Sequence, residues 1–96
     1  MSCRVSALVA DLRARKANVR CRELGEILKT LGFTITPGRG NHKVVTHDGL
    51  EGFLSTSYDC GHGKDSQIKP PYITKVAKVL SDYAVELQGY LEKDDG

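Results

Sequence analysis

A short stretch near the middle of the chain holds the residues whose types and spacing best suit chemistry. His42 carries an imidazole, which gains and loses a proton near neutral pH and is therefore a candidate catalytic base. Arg39 and Lys43 place positive charge on either side of it, where each could contact a phosphate group. Gly38 and Gly40 carry no Cβ, so a bulky ligand can approach the backbone, and their amides are candidate helpers in phosphate binding. A proton-transfer group beside phosphate contacts is what cleaving or gripping RNA requires.

RNA cleavage without a metal places three demands on a site. A base must take the proton of the 2′-hydroxyl, the charged phosphorane must be stabilised, and an acid must protonate the leaving 5′-oxygen. His42 is the candidate for the first task. His62 is a candidate second acid or base if its loop folds back, and water is an equal alternative. The residues alone leave a simpler interpretation open, because His42, Arg39 and Lys43 would also suit a solvated hairpin.

Metal and cofactor sites find little support in the sequence. Cys60 and His62 are separated by one residue, but zinc sites usually draw on two separated pairs of ligands, and no second pair has matching spacing. The carboxylates of the central region are scattered through predicted turns and loops, and no phosphate-binding Gly-Lys loop for nucleotides is present. We therefore expect no metal and no cofactor.

Length and charge limit the classes of protein to consider. The 96 residues have room for one modest core, and the net charge of +2 does not by itself indicate a nucleic-acid-binding protein. The distribution of charge says more, because residues 1–32 carry seven Lys/Arg against three acidic residues, whereas residues 72–96 carry three against five. The basic side chains of residues 1–32 could bind along an RNA backbone or could equally bind an acidic protein partner. They are Arg13, Arg15, Lys16, Arg20 and Arg22.

The cysteines and the apolar runs predict a cytoplasmic chain with reduced thiols. Cys3, Cys21 and Cys60 are an odd number without the spacing of a secreted disulfide framework. The apolar run at residues 5–10 is too short for a secretory signal. No run approaches the length of a membrane span, so we expect no membrane partner.

Hydrophobic periodicity predicts an α+β fold with the element order α-α-β-β-β-α, in which helices pack on a three-stranded antiparallel sheet. The predicted helices span residues 3–15, 19–31 and 70 to about 90, and the predicted strands span residues 33–36, 42–47 and 52–56. Asn18 is the expected N-cap of the second helix and Gly32 its expected end. Asp48-Gly49 is the expected hairpin turn before the third strand. Residues 57–69 are predicted to form a loop.

We expect a single domain, residues 1–96, with its core at residues 19–83. Residues 1–18 add an N-terminal helix, and residues 84–96 add a helical extension with a frayed acidic end. The apolar positions of the last helix step by three and four residues. Its first half is suited to packing in the core. Its second half would extend beyond so small a sheet and could form the interface of a homodimer.

Two motifs follow each other closely along the chain. They are residues 23–33 (ELGEILKTLGF) and residues 40–43 (GNHK). In this combination the chain resembles the HicA-type toxins of bacterial toxin–antitoxin pairs, in which a helix ends in Leu-Gly-Phe, a strand follows, and a Gly-Ser-His element opens the next strand. Residues 59–63 (DCGHG) and 68–73 (IKPPYI) are similar to a variant branch of that family. The resemblance covers about residues 19–81.

The resemblance implies both a fold and an activity. The fold would be similar to that of double-stranded-RNA-binding domains. The activity would be that of an mRNA interferase, a metal-independent endoribonuclease with a partner antitoxin, in which His42 is the catalytic histidine. Asn41 stands where serine is usual, and its amide can still donate and accept hydrogen bonds. The candidate RNA and phosphate contacts are then Gly38, Arg39, Gly40, Asn41 and Lys43.

Two other functions suit the same sequence. A non-catalytic RNA-binding domain would keep the fold and bind RNA without turnover. An interaction module would use the long C-terminal helix to dimerise and would ignore RNA.

Overall fold

Helices flank a central three-stranded sheet in this α+β protein. The structure, a computed structural model, describes residues 4–61 and 66–95 and, within them, the side chains through residue 92. The elements are α1 (Arg4–Ala14), α2 (Cys21–Thr30), β1 (Thr34–Pro37), β2 (His42–Thr46), β3 (Thr56–Asp59), α3 (Pro70–Asp82) and α4 (Ala84–Asp95). The α+β class and the antiparallel sheet are confirmed, and the structure adds a fourth helix to the predicted order.

β2 is the central strand of the sheet, antiparallel to β1 on one side and to β3 on the other. Its Val45 pairs with Ile35 of β1 and with Thr56 of β3. Because successive side chains on a strand point to opposite faces, Val45 is fully buried while its neighbour Val44 stays partly exposed. α2 packs on β1 and α3 packs on β3. The helices therefore cover the face that carries Val45. Among the described residues, no helix packs on the face that carries His42 and Val44, which we call the uncovered face.

The third strand lies later in the chain than predicted. β3 spans Thr56–Asp59, so the predicted strand at residues 52–56 and the predicted loop at residues 57–59 are wrong. The Asp48-Gly49 dipeptide does not close a tight hairpin. The connection between β2 and β3 turns inward instead and buries Leu50. Burial of an apolar side chain outweighs the local turn signal here.

α2 begins later than predicted, and the expected cap at Asn18 is wrong. Arg20 occupies the N-cap position in an extended conformation and makes no side-chain capping bond. The chain before the helix pairs with a distant segment, because Arg20 forms an antiparallel bridge with Gln67 and the Ile68 N–H donates to the Val19 carbonyl at 2.8 Å. This pairing keeps the backbone extended up to the first residue of the helix.

The predicted single C-terminal helix is divided at Tyr83. α3 ends at Asp82, and Tyr83 has a φ of −108° and a ψ of 18°, outside the helical region, before α4 begins at Ala84. α1 packs against both α3 and α4, and Leu87 and Leu91 of α4 are buried in the core of the same chain. The apolar positions that were candidates for a dimer seam are therefore used within the molecule.

Tyr90 holds α4 against two glycines of the preceding turns. Its ring lies edge-on to the His47 ring, with 4.7 Å between the centroids. A Cβ on Gly32 or on Gly49 would come within 2.6 Å of the Tyr90 ring. Gly32 also has a φ of +93°, the left-handed geometry predicted for the end of the second helix. Absence of a side chain at both positions lets the aromatic ring reach the backbone.

A disulfide joins Cys21, at the start of α2, to Cys60, which follows β3, with 5.3 Å between the Cα atoms. The predicted reduced thiols are therefore wrong for this pair. The sulfur atoms meet because the chain before α2 pairs with residues 66–68, close to the end of β3. Within the described part of the chain, no helix is both long enough and apolar enough to cross a bilayer.

Candidate functional site

The turn between β1 and β2 places His42 at the start of the central strand. The Gly38 N–H donates to the His42 carbonyl at 2.8 Å, and the His42 N–H donates to the Arg39 carbonyl at 3.0 Å. Gly40 has a φ of +57°, a left-handed conformation that glycine adopts without strain. These bonds fix the backbone around His42 and leave the Arg39 side chain exposed. They also engage the Gly38 amide within the turn, so the Gly40 amide is the better placed helper for phosphate binding.

Asp59 of β3 lies beside His42 on the uncovered face of the sheet. The two residues are paired across the strands, and Asp59 Oδ2 is 3.7 Å from His42 Nδ1. This distance lies within the range of an ion pair but is longer than a hydrogen bond. The side chains are 45% exposed for His42 and 39% exposed for Asp59, so a substrate can reach both.

A backbone bond holds the Asp59 carboxylate in place. The Gly61 N–H donates to Asp59 Oδ1 at 2.7 Å, and Gly61 has a φ of +69°. With Oδ1 engaged by the backbone, Oδ2 faces Nδ1 of His42. The other ring nitrogen, Nε2, then lies on the far side of the imidazole, where it can exchange a proton with a bound ligand. An imidazole beside a carboxylate can act as a general base.

Lys43 points to the opposite face of the sheet from His42. It pairs with the buried Tyr58 and lines a groove of about 340 Å³ between α2 and the sheet. Two basic residues of α2 line the same groove, Arg22 and Lys29. The alternation of side chains along β2 thus places Lys43 and His42, neighbours in sequence, on different surfaces.

A cavity of about 500 Å³ opens beside the pair formed by His42 and Asp59. Its lining residues are Asn41, Asp59, Gly61, Ser66, Gln67, Lys69 and Tyr72. Asp59 belongs both to the cavity and to the pair, whereas His42 is not among the lining residues, so Asp59 is the residue that connects the cavity to the imidazole. His62, the candidate second acid or base, falls outside the described residues.

The basic residues within positions 1–32 do not form a continuous row of charges that could all bind phosphate. The Arg15 guanidinium contacts Asp11 at 2.9 Å and Glu23 at 2.6 Å. The bonds to Glu23 and then to Asp11 raise the pKa of Arg15 above its ordinary value. Arg13 and Lys16 are exposed. A phosphate track along this surface would therefore be interrupted at Arg15, whose charge two carboxylates already compensate.

His47, which follows β2, is buried. The Gly49 N–H donates to His47 Nδ1 at 2.9 Å, and Nε2 lies 3.0 Å from the Leu31 carbonyl. Because Nδ1 accepts a hydrogen bond, the ring proton belongs on Nε2, from which it is donated to Leu31. Phe33 also packs edge-on against this ring at 4.7 Å between centroids. Both nitrogens are engaged by the backbone, so His47 stabilises the fold and is not a proton-transfer candidate.

Comparison with known proteins adds nothing to the resemblance to the HicA-type toxins, which therefore depends on the motif residues. No family model, no curated protein and no solved structure matches this chain. Among the side chains that the structure describes, no three His, Cys, Asp or Glu residues are grouped to hold a metal ion.

Asp59 is the residue of this site that the sequence patterns did not single out. It falls in the predicted loop, among carboxylates without a common motif. The usable signal was the alternation in residues 56–59, where Tyr58 is the buried member and Ser57 and Asp59 face the other way. A strand at this position, antiparallel to β2, brings Asp59 opposite His42.

Proposed function

We propose that this chain is a HicA-like toxin of a type II toxin–antitoxin system, a metal-independent endoribonuclease in which His42 transfers protons during RNA cleavage. The observation that carries the proposal is the partly exposed His42 imidazole, 3.7 Å from the Asp59 carboxylate on the uncovered face of the sheet. A histidine with a carboxylate partner is a recurring arrangement in general acid/base catalysis. The glycine and histidine of the HicA-type motif correspond to Gly40 and His42.

The proposed reaction is attack of the RNA 2′-oxygen on the adjacent phosphorus. His42 Nε2 takes the proton of the 2′-hydroxyl, and the bond from phosphorus to the 5′-oxygen breaks. The products are a 2′,3′-cyclic phosphate and a 5′-hydroxyl, whose oxygen receives its proton from water or from a second acid. Asp59, with Oδ2 3.7 Å from Nδ1, stabilises the positive charge of the imidazolium that forms. Arg39, in the turn before His42, supplies positive charge for the phosphorane.

The proposal makes mRNA the substrate, the cytoplasm the place of action and a cognate antitoxin the protein partner. A partner docked on the uncovered face would cover His42 and Asp59 and exclude RNA. The disulfide between Cys21 and Cys60 weighs against a reducing compartment, because disulfides are rare in cytosolic proteins. A cytoplasmic ribonuclease of this sequence must therefore keep its activity when this disulfide is reduced.

The test is cleavage of a labelled mRNA in EDTA, which excludes metal-dependent cleavage. We expect His42→Ala to lower the cleavage rate by about 100- to 10,000-fold, the usual contribution of a general base. Asp59→Asn keeps the shape of the side chain but removes its charge, so we expect kcat to fall while KM changes little. Val85, 82% exposed on α4, gives the matched control Val85→Ala, which should cleave like the parent.

The other outcomes distinguish the remaining functions. Equal cleavage by the parent and by His42→Ala would remove His42 from the mechanism and point to a contaminating nuclease. RNA binding without any product would favour the non-catalytic RNA-binding domain. A chain that leaves RNA both uncut and unbound would favour the interaction module.

A further inference from the structure

The cavity beside His42 has a lining suited to a flat, polar ligand. It measures about 500 Å³, within the range of sites for small ligands. Tyr72, near the start of α3, contributes an aromatic ring that is partly buried. Gln67 and Asn41 contribute side-chain amides, which can both donate and accept hydrogen bonds. An aromatic surface together with amides is a lining that can both stack on a heterocycle and bind its edge.

Positive charge lies on one side of this cavity. Lys69 lines it directly, and the Lys75 ammonium lies 5.3 Å from the centroid of the Tyr72 ring. Asp59 is the acidic residue among the described residues of the lining, and its Oδ1 already accepts a bond from the Gly61 N–H. The Lys75 ammonium lies over one face of the Tyr72 ring, so a heterocycle would stack on the other face, and Lys69 would contact a phosphate attached to it.

We propose that this cavity binds the unpaired nucleobase adjacent to the scissile phosphate, with Tyr72 as its stacking platform. The inference rests on the proposed function for its RNA substrate and adds the recognition of a base to it. Single-stranded RNA is commonly recognised by stacking of splayed bases on aromatic rings and by hydrogen bonds to their edges. Asp59 lines the cavity and lies 3.7 Å from His42, so the phosphate attached to a base in the cavity can extend past Asp59 toward the imidazole.

The position of Tyr72 also gives the cavity a fixed wall. The Tyr72 N–H donates to the Lys69 carbonyl at 3.0 Å in the first turn of α3, which Pro70 begins. Proline restricts the backbone at this turn. The aromatic ring is therefore presented from a rigid element, and a base can stack on it without first ordering a loop.

The experiment measures binding rather than cleavage, so that it stands apart from catalysis. The probe is a short, labelled, fully 2′-O-methylated oligoribonucleotide, which cannot be cut because its 2′-oxygens carry no proton. We expect Tyr72→Ala to weaken its binding to the full chain by about 10-fold or more in fluorescence anisotropy, from the loss of stacking. Tyr72→Phe keeps the ring and should bind within about 2-fold of the parent. Tyr72→Leu keeps apolar volume at the start of α3 and should bind as weakly as the alanine variant.

A second probe with the same sugar–phosphate backbone but no bases separates stacking from charge. The parent and Tyr72→Ala should bind this abasic probe equally. Binding of the base-carrying probe that is the same in Tyr72→Ala, Tyr72→Leu and the parent would overturn the pocket and leave cleavage by His42 untouched. Loss of binding to the abasic probe in Tyr72→Leu would also overturn it, because the ring would then act through the fold. If binding depends on Tyr72 but the chain cuts no natural RNA, the result supports base binding in the cavity and contradicts catalysis by His42.

Discussion

His42 and His47 lie five residues apart in sequence and on opposite faces of the sheet. Their imidazoles therefore differ in burial and in hydrogen-bond partners. Both ring nitrogens of His47 bind backbone groups inside the core. His42 is partly exposed beside Asp59. A buried imidazole with two backbone partners would lose hydrogen bonds if its protonation changed. His42 can change its protonation without disrupting the core, so it is the histidine suited to proton transfer.

Tyr58 gives a prediction for alkaline pH. Its phenol is buried, and burial raises its pKa above the ordinary value of about 10 because the charged form is poorly solvated. As pH rises past that ordinary value, the unfolded chain loses the phenolic proton while the folded chain keeps it. Stability then falls with pH, since the unfolded state binds fewer protons. Below about pH 9 this contribution to the free energy of unfolding does not change.

The measurement is urea unfolding at pH 8 and at pH 11 for the parent and for Tyr58→Phe. We expect the loss of stability between these two pH values to be smaller in Tyr58→Phe, which has no phenol to titrate in the core. Tyr72→Phe removes a phenol that is only partly buried and serves as the matched control. An identical loss in Tyr58→Phe and in the parent would contradict the account.

At the scale of elements, the contact of α4 with two turns depends on the absence of a side chain at Gly49. A Cβ there would lie 2.6 Å from Cδ1 of Tyr90, and the ring cannot swing away freely because Gly32 and His47 contact it on other sides. We expect Gly49→Ala to lower the free energy of unfolding by about 1–3 kcal/mol, the usual cost of overpacking. Urea unfolding would measure it.

The control for this prediction lies in the same helix. A Cβ on Gly89 would meet no atom within 4 Å, so Gly89→Ala should stabilise α4 by up to about 1 kcal/mol through helix propensity. In the double variant Gly49→Ala/Tyr90→Ala, the ring that the new Cβ would contact is absent. Its loss of unfolding free energy should therefore be smaller than the sum of the losses in the two single variants. Strictly additive losses would show that the ring is not the cause.

Elements with strong local signals were predicted from the sequence, and elements decided by distant contacts were not. α2, β1, β2 and the start of α3 at Pro70 follow from periodicity and from the positions of glycine and proline. β3 was misplaced because the Asp48-Gly49 turn signal is local, whereas burial of Leu50 depends on the whole core. The division at Tyr83 had no glycine or proline to mark it, and apolar residues continue at helical spacing on both sides. α1 packs against both halves, a long-range contact that the local pattern does not contain.

The candidate site divides in the same way. His42 could be singled out from residue type and motif, which are properties of a short segment. Its partner Asp59 could not, because their contact depends on the register of β2 against β3. Lys43 was grouped with His42 by adjacency in sequence, yet the alternation of a strand separates neighbours onto two faces. The sequence therefore singles out the candidate side chain, and the register of the sheet determines which groups lie beside it.

At the scale of the whole molecule, the helices are gathered on one side and the proposed chemistry lies on the other. The first and last helices contact each other, because the Arg4 N–H donates to Gln88 Oε1 at 3.1 Å and α1 packs on α4. This arrangement completes the core behind the sheet, and none of the described helices covers His42. A substrate or a protein partner can then approach the uncovered face without any displacement of a helix.

The disulfide between Cys21 and Cys60 joins the helical side to the edge of the sheet and should contribute to global stability. It spans 39 residues of sequence, and closure of a loop of that size in the unfolded chain corresponds to about 4 kcal/mol in the chain-entropy account. We expect reduction, or the double variant Cys21→Ser/Cys60→Ser, to lower the free energy of unfolding by about 2–4 kcal/mol. The measurement is urea unfolding with and without reductant. Cys3→Ser leaves the bonded pair intact and is the matched control.

The same variants connect stability to the site. The Cys60 N–H donates to the Asn41 carbonyl at 3.0 Å, and Asp59 is held opposite His42 by strand pairing, so the site does not depend on the disulfide alone. Below its unfolding temperature, the reduced chain should therefore cleave RNA within a few-fold of the oxidised rate, as a cytoplasmic ribonuclease must. Stability that is unchanged by reduction would show that the bond does not constrain the unfolded chain in solution. Loss of cleavage in a reduced chain that is still folded would instead make the disulfide a requirement of the site and argue against action in a reducing compartment.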